Sequence, residues 1–233
     1  MKLLNLISGG AAQGLVAAVQ ERFSLDQGFS PEGSFGAVGL MKDRLLAGAP
    51  CDVVILTAAM IDGLEQEGHV RPGSARPLGV VRTGVAVKAG AAIPDIATPQ
   101  ALARLLRSAP GIYFPDPVKA TAGIHFLKVL KTLGLDQELQ QRLKPFPNGA
   151  TAMREMATAP DSNLIGCTQV TEILYTAGVQ LVGVLPREFE LATVYTAAVC
   201  SRAANPAAAQ ALVDLLSADT SRALRTAGGF EER

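Results

Sequence analysis

The sequence predicts an α/β protein built as two lobes, each a mostly parallel sheet flanked by helices, with two crossover strands. Three observations predict it. Short β-branched runs alternate with segments whose apolar residues recur at helical spacing, as in parallel sheets covered on both faces. Two runs, 79–90 and 191–201, are longer than the rest, and the chain between them carries its own strand–helix units. After the second long run come two helical segments. One lobe would then hold residues 1–82 plus 200–233 and the other 83–199. A single doubly wound sheet is the alternative topology, and no internal repeat is present.

Each element follows from pattern and punctuation. Residues 2–7 (KLLNLI) predict a strand and 11–23 (AAQGLVAAVQERF) a helix. The Gly/Ser/Pro-rich segment FSPEGSFGAVG precedes a helix around 38–47, CDVVILT at 51–57 is a buried strand, and a helix at 58–67 stops near Gly68. GVVRTGVAVKAG is the first long strand. A helix at 98–107, a strand at 112–114 and a helix at 121–134 ending on Gly134 follow. Helices at 136–143 and 149–158, a strand at 164–168, a helix at 169–176 and strands at 181–185 and 191–201 come next. Helices at 205–217 and 219–226 close the chain.

Composition excludes several classes. Lys plus Arg and Asp plus Glu both total 21, and no basic stripe interleaves with aromatics, so nothing points to nucleic acid. Cys51, Cys167 and Cys200 sit in or beside apolar runs, form no CxxC, and lie far in sequence from His69 and His125. They predict buried thiols rather than a metal site, and no cofactor motif appears. The start MKLLNLISGG is too short and too broken by Asn5 for a signal peptide, and no stretch is long enough to span a membrane. The chain as given is expected to be cytoplasmic, or periplasmic if a leader was removed.

In parallel α/β sheets, ligands sit beyond the carboxyl ends of strands, where helix N-termini offer amides and a favourable dipole to an anion. Four junctions have that form: ISGGAAQG (7–14), GSFGAVG (33–39), DPVKATAG (116–123) and GCTQVTE (166–172). Small residues there let a ligand approach the backbone. Each is also explicable as an ordinary turn and cap. ISGGAAQG is not a dinucleotide fingerprint, and no GK[ST] phosphate loop is present. In FPDPVKATAG, Pro115 and Pro117 stiffen the loop, Asp116 is expected to fix the turn, and Thr121, Ala122 and Gly123 open a helix.

Four segments carry a family resemblance: LLNLISGGAAQGLV, LLAGAPCDVVILT, DPVKATAGIHFLKVLKTLGL and the closing ELATVYTAAVCSRAANPAAAQALVDLLSADTSRALRTAGGF. In order and over nearly the whole chain, they resemble the molybdate-binding proteins of ABC transporters, a branch of the type II periplasmic solute-binding fold. The resemblance implies a small anion held in a cleft between the lobes and, in an exported protein, a transporter permease as partner. Members that bind molybdate ring it with backbone amides and two serine hydroxyls. Here the first serine position falls on Ala11 and the second near Ala37 or Val38, with Ser8 and Ser34 displaced. The candidate ligand-binding residues are Ser8, Gly9, Gly10, Ala11, Ser34, Gly36, Ala37, Arg82, Thr83, Thr121, Ala122, Gly123, Gln169 and Tyr195.

Cationic groups lie near the expected cleft instead: Arg82 at the first crossover strand, Lys42 on the second helix and Lys119 in the third junction. A guanidinium suits a carboxylate through paired hydrogen bonds, whereas surface charge is the default reading of each lysine. RTGVAV, FPDPVKATAGIHF, FPNGATAM and IGCTQVTEI also resemble a subgroup of the family that includes aconitate isomerase. That resemblance implies an allylic proton shift, which requires a base, a carboxylate site and stabilisation of a dienolate. His125, Lys119 and Glu172 are the catalytic candidates, with Tyr195 able to supply a proton. His125 as a packed first-turn residue and Glu172 on a solvated helix face are the alternatives.

Overall fold

The computed structural model describes residues 1–232, which divide into two compact units. Unit 1 comprises Met1–Val81 and the chain from Thr193 onward; unit 2 is Arg82–Ala192.

In unit 1, β1 (Lys2–Gly9) pairs in parallel with β2 (Phe29–Gly36) on one side and β3 (Val53–Thr57) on the other. β9 (Ala192–Val199) lies antiparallel to β3. Helices α1 (Gln13–Gln27), α2 (Val38–Leu46), α3 (Ala58–Gln66), α8 (Pro206–Ser217) and the short α9 (Arg222–Ala227) cover this sheet. α1 buries Leu15, Val16, Val19 and Phe23, a stripe at helical spacing. Each such side chain contributes about 1.5–3 kcal/mol on burial. α1 ends on Gly28, whose φ of 72° needs a residue without Cβ. Asp52, 1% exposed, ties the two segments of the unit together: its carboxylate accepts from the amides of Asn5 and Asn205, both at 2.9 Å.

In unit 2, β5 (Ile112–Pro115) pairs in parallel with β6 (Leu143–Phe146) and β7 (Ile165–Gln169). β4 (Arg76–Lys88), which enters from unit 1, runs antiparallel to both β7 and β8 (Val179–Val184). The helices are α4 (Pro99–Ser108), α5 (Thr121–Thr132), α6 (Gly149–Thr158) and α7 (Val170–Tyr175). The main core gathers Val85, Leu102, Leu106, Phe114, Phe126 and Ile165, with Phe126 packed edge-on against Phe114.

Three expectations need correction. The sheets are mixed rather than mostly parallel. β7, α7 and β8 do form a parallel crossover, but β4 is inserted between the two strands in the opposite direction. Alternation of strands and helices cannot report such an insertion. Second, FSPEGSFG is a strand, β2. Among the described residues it pairs with β1 alone, so Pro31 and the glycines are tolerated at this edge while eight in-register pairs hold it. Third, 136–143 is not a helix. Leu135 and Leu139 are buried one turn apart, which imitates helical spacing, but a 3₁₀ turn (Gln140–Arg142) leads straight into β6. There Phe146 stacks on Tyr113 with ring centroids 5.6 Å apart. Among the described residues, no helix is long and apolar enough to cross a membrane.

Candidate functional site

The parallel strands of unit 1 end at one edge, because Gly9 is opposite Gly36 and Ser8 opposite both Phe35 and Ile55. From that edge start the 3₁₀ turn Gly10–Ala12 leading into α1, and helices α2 and α3. Their preceding residues Gly9, Ala37 and Thr57 make no side-chain capping bond. The first amides of a helix have no partner within it, so these starts present donors. Tyr195 pairs with Thr57 across β3 and β9. A Cβ on Gly9 would stand 2.8 Å from Val38 Cγ1 and 3.0 Å from Tyr195 Cε1. Gly9 therefore lets three elements meet.

Unit 1 thus gathers Gly9, Gly10, Gly36, Ala37 and Tyr195, with Ala11 buried in the 3₁₀ turn. Ser8 is buried too, but its hydroxyl donates to the Gly9 carbonyl at 2.9 Å, so the backbone already occupies it. Ser34 lies inside β2, opposite Ile7. Lys42 is on α2 and forms an ion pair with Glu67 at 3.9 Å.

In unit 2, Asp116 fixes the turn after β5: its Oδ1 accepts from the amides of Val118 (2.7 Å) and Lys119 (2.8 Å). α5 then begins at Thr121 with no side-chain cap on Ala120, so Thr121, Ala122 and Gly123 carry its first amides. Two helices of the unit are capped instead, α4 by Thr98 and α6 by Asn148. α7 has only six residues, a short start compared with the other junctions.

Thr83 on β4 is directly opposite Gln169 on β7, and their side chains are 1% and 2% exposed. Among the described residues, Thr83 Oγ1, both polar atoms of the Gln169 amide and Thr171 Oγ1 are buried without a hydrogen-bond partner. Leaving a buried polar group unsatisfied costs about 1–3 kcal/mol. Arg82, next to Thr83, forms an ion pair with Glu190. His125 Nε2 donates to the Phe189 carbonyl at 2.7 Å, so in a neutral ring Nδ1 is the acceptor. Lys119 has an exposed side chain on the loop before α5.

Glu172 is not on a solvated face. It is 5% exposed, and its Oε2 accepts from Thr168 Oγ1 at 2.6 Å. Burial pushes its carboxyl up from the ordinary value, against hydrogen bonds from Thr168 and from the amides of Ala150, Gly149 and Gln169 that favour the ionised form. The carboxylate thus holds the start of α6 from inside the protein. Sequence reasoning missed Gly149, Thr168 and Thr171 here. FPNGATAM carried a signal for the first, since asparagine before Gly-Ala is a helix start.

Because folding raises the Glu172 pKa, stability from this group is fully present below its unfolded value and is lost as pH rises through the folded one. Glu172→Gln keeps a neutral side chain at every pH. The native protein is therefore expected to lose ground to the variant as pH rises above the ordinary carboxyl range. Urea midpoints of both proteins at each pH check the sign; a native advantage growing with pH would contradict it.

Strand ends here lead into helix starts without side-chain caps, on an α/β fold that matches periplasmic binding proteins. The chain belongs to the bacterial extracellular solute-binding protein family, whose model matches residues 4–231. It is 27% identical over 237 residues to an aconitate isomerase from a Pseudomonas species, covering 97% of this chain and 86% of that protein. Its fold is similar to that of the periplasmic molybdate-binding protein of Azotobacter vinelandii, with a TM-score of 0.81, 20% identity and 99% of each chain covered. The sulfate-binding protein SubI of Mycobacterium tuberculosis is also similar in fold, with a TM-score of 0.74, 18% identity and coverage of 100% of this chain and 87% of that one.

Proposed function

We propose that the chain binds a small anion, favouring a carboxylate over an inorganic oxyanion. The observation that carries this reading is the buried, unpartnered set of Thr83, Gln169 and Thr171 among the described residues, with Arg82 preceding Thr83 along β4. A bound ligand would satisfy those groups, and Arg82 would exchange part of its pairing with Glu190 for a ligand carboxylate. The uncapped starts of α2, α3 and α5 supply further amide donors. The loss of a serine at Ala11 weakens an inorganic-oxyanion cage and leaves the cationic contact dominant. In an exported protein, the partner would be an ABC transporter permease.

A second reading is supported by the similarity to an aconitate isomerase over 97% of this chain. Moving the double bond of aconitate removes an allylic proton and returns one to the other end of the allyl system. His125 through Nδ1, Lys119, Tyr195 or the carboxyl of Glu172 would carry that proton. Arg82 and the amide donors would hold the carboxylates and the dienolate.

Calorimetric titration with molybdate, tungstate, sulfate, citrate and the two aconitates tests the binding proposal, and failure of every anion to bind would overturn it. Ultraviolet assay of cis- to trans-aconitate conversion separates the readings: turnover makes the protein an isomerase, and tight binding without turnover leaves a binding protein. Arg82→Ala is expected to weaken carboxylate binding by at least about tenfold. Unchanged affinity would remove Arg82 from the site.

A further inference from the structure

Unit 1 carries a pair of thiols that anion binding does not use. Cys51 lies just before β3 and Cys200 just after β9, where Val53 pairs with Val199 and the Cys200 amide donates to the Asp52 carbonyl at 2.9 Å. This pairing brings the two sulfurs to 3.3 Å from each other. Both are free thiols, 9% and 3% exposed. They line a cleft of about 340 Å³ together with Leu45, His69, Ser201 and Arg202, so a reagent has a route to them. Cys167, in unit 2, is fully buried.

We propose that Cys51 and Cys200 are a disulfide-forming site, oxidised by a disulfide reagent that enters through this cleft. One cysteine thiolate attacks a sulfur of the oxidant RSSR, forming a mixed disulfide and expelling one RS⁻. The second thiolate then attacks the protein sulfur of that mixed disulfide, closing the Cys51–Cys200 bond and expelling the other RS⁻. The two cysteines lose two electrons to the oxidant, and their two protons end on two RSH. The hydrogen bond between Cys51 and Cys200, together with burial, pushes the Cys51 thiol up, so the exchange draws on a small thiolate population and is slow. The residues are 149 positions apart, one in each of the two chain segments that build unit 1. Their bond would lock those segments together.

The test uses the native, full-length protein incubated with excess oxidised glutathione, then alkylated under denaturing conditions and mapped by mass spectrometry. The three free thiols are expected to fall to one, with a Cys51–Cys200 peptide pair and an alkylated Cys167. Melting temperature is expected to rise by roughly 5–15 °C and to return on reduction with dithiothreitol. Cys51→Ser and Cys200→Ser should each abolish the intramolecular bond and the temperature shift. Three alkylated cysteines after prolonged oxidation, a glutathione adduct persisting on Cys51 or Cys200, or a cross-link containing Cys167 would each overturn the proposal. Because the mapping is done on the unsubstituted protein, it stands even if a serine variant fails to fold.

Discussion

Gly123→Ala is expected to destabilise the protein by about 3 kcal/mol or more. Within a helix this exchange ordinarily stabilises, by up to about 1 kcal/mol, so the sign alone is diagnostic. A Cβ at Gly123 would stand 2.2 Å from the Pro115 carbonyl oxygen and 2.3 Å from that of Asp116. Both are backbone atoms, and neither can rotate aside. The Asp116 carbonyl also accepts from the Ala120 amide at 3.1 Å, while its side chain holds the amides of Val118 and Lys119. The remaining escape is to push the start of α5 off the end of β5, which displaces the amides proposed to face the anion. Denaturant unfolding should show a lower midpoint at unchanged slope, and anion affinity should fall with it. A variant as stable as the native protein would show that this junction yields.

Gly149→Ala is expected to cost about 2–3 kcal/mol, through a different contact. Its Cβ would stand 2.0 Å from both Glu172 Oε2 and Thr168 Oγ1. These are side-chain ends, which elsewhere would swing away cheaply. Here they are buried and bonded to each other at 2.6 Å, so moving either breaks a hydrogen bond in the interior. Truncating the carboxylate makes room. The cost of Gly149→Ala is therefore expected to shrink in a Glu172→Ala background, and a double-mutant cycle by urea unfolding measures the coupling. Strict additivity would show that the clash is relieved elsewhere.

The two glycines differ in how much of their role the sequence revealed. Gly123 follows a stiffened Pro-Asp-Pro loop and opens an amphipathic helix, so a tight strand-to-helix junction was readable from local pattern. Gly149 owes its necessity to Glu172, which lies 23 positions later by residue number and faces it only through the packing of α6 on α7. By sequence, Glu172 suited a solvated helix face, since the six residues of α7 are too few for periodicity to show which side is buried. Ser8 shows the converse. Its residue type suited an anion ligand, but the hydroxyl turns back onto the Gly9 carbonyl.

By itself the sequence determined the α/β class, most of the elements and the junctions where strands run into helix starts. Those follow from periodicity, β-branching and the local chemistry of Gly, Pro and Asp, all of which act over a few residues. Tertiary structure alone decided that β4 is inserted between β7 and β8, and that FSPEGSFG is an edge strand. It also decided that Thr83 and Gln169 face each other unpartnered, and that Cys51 and Cys200 touch. Strand direction, burial and side-chain contact depend on which distant segment lies alongside, and hydrophobic spacing within one segment carries no record of its neighbour.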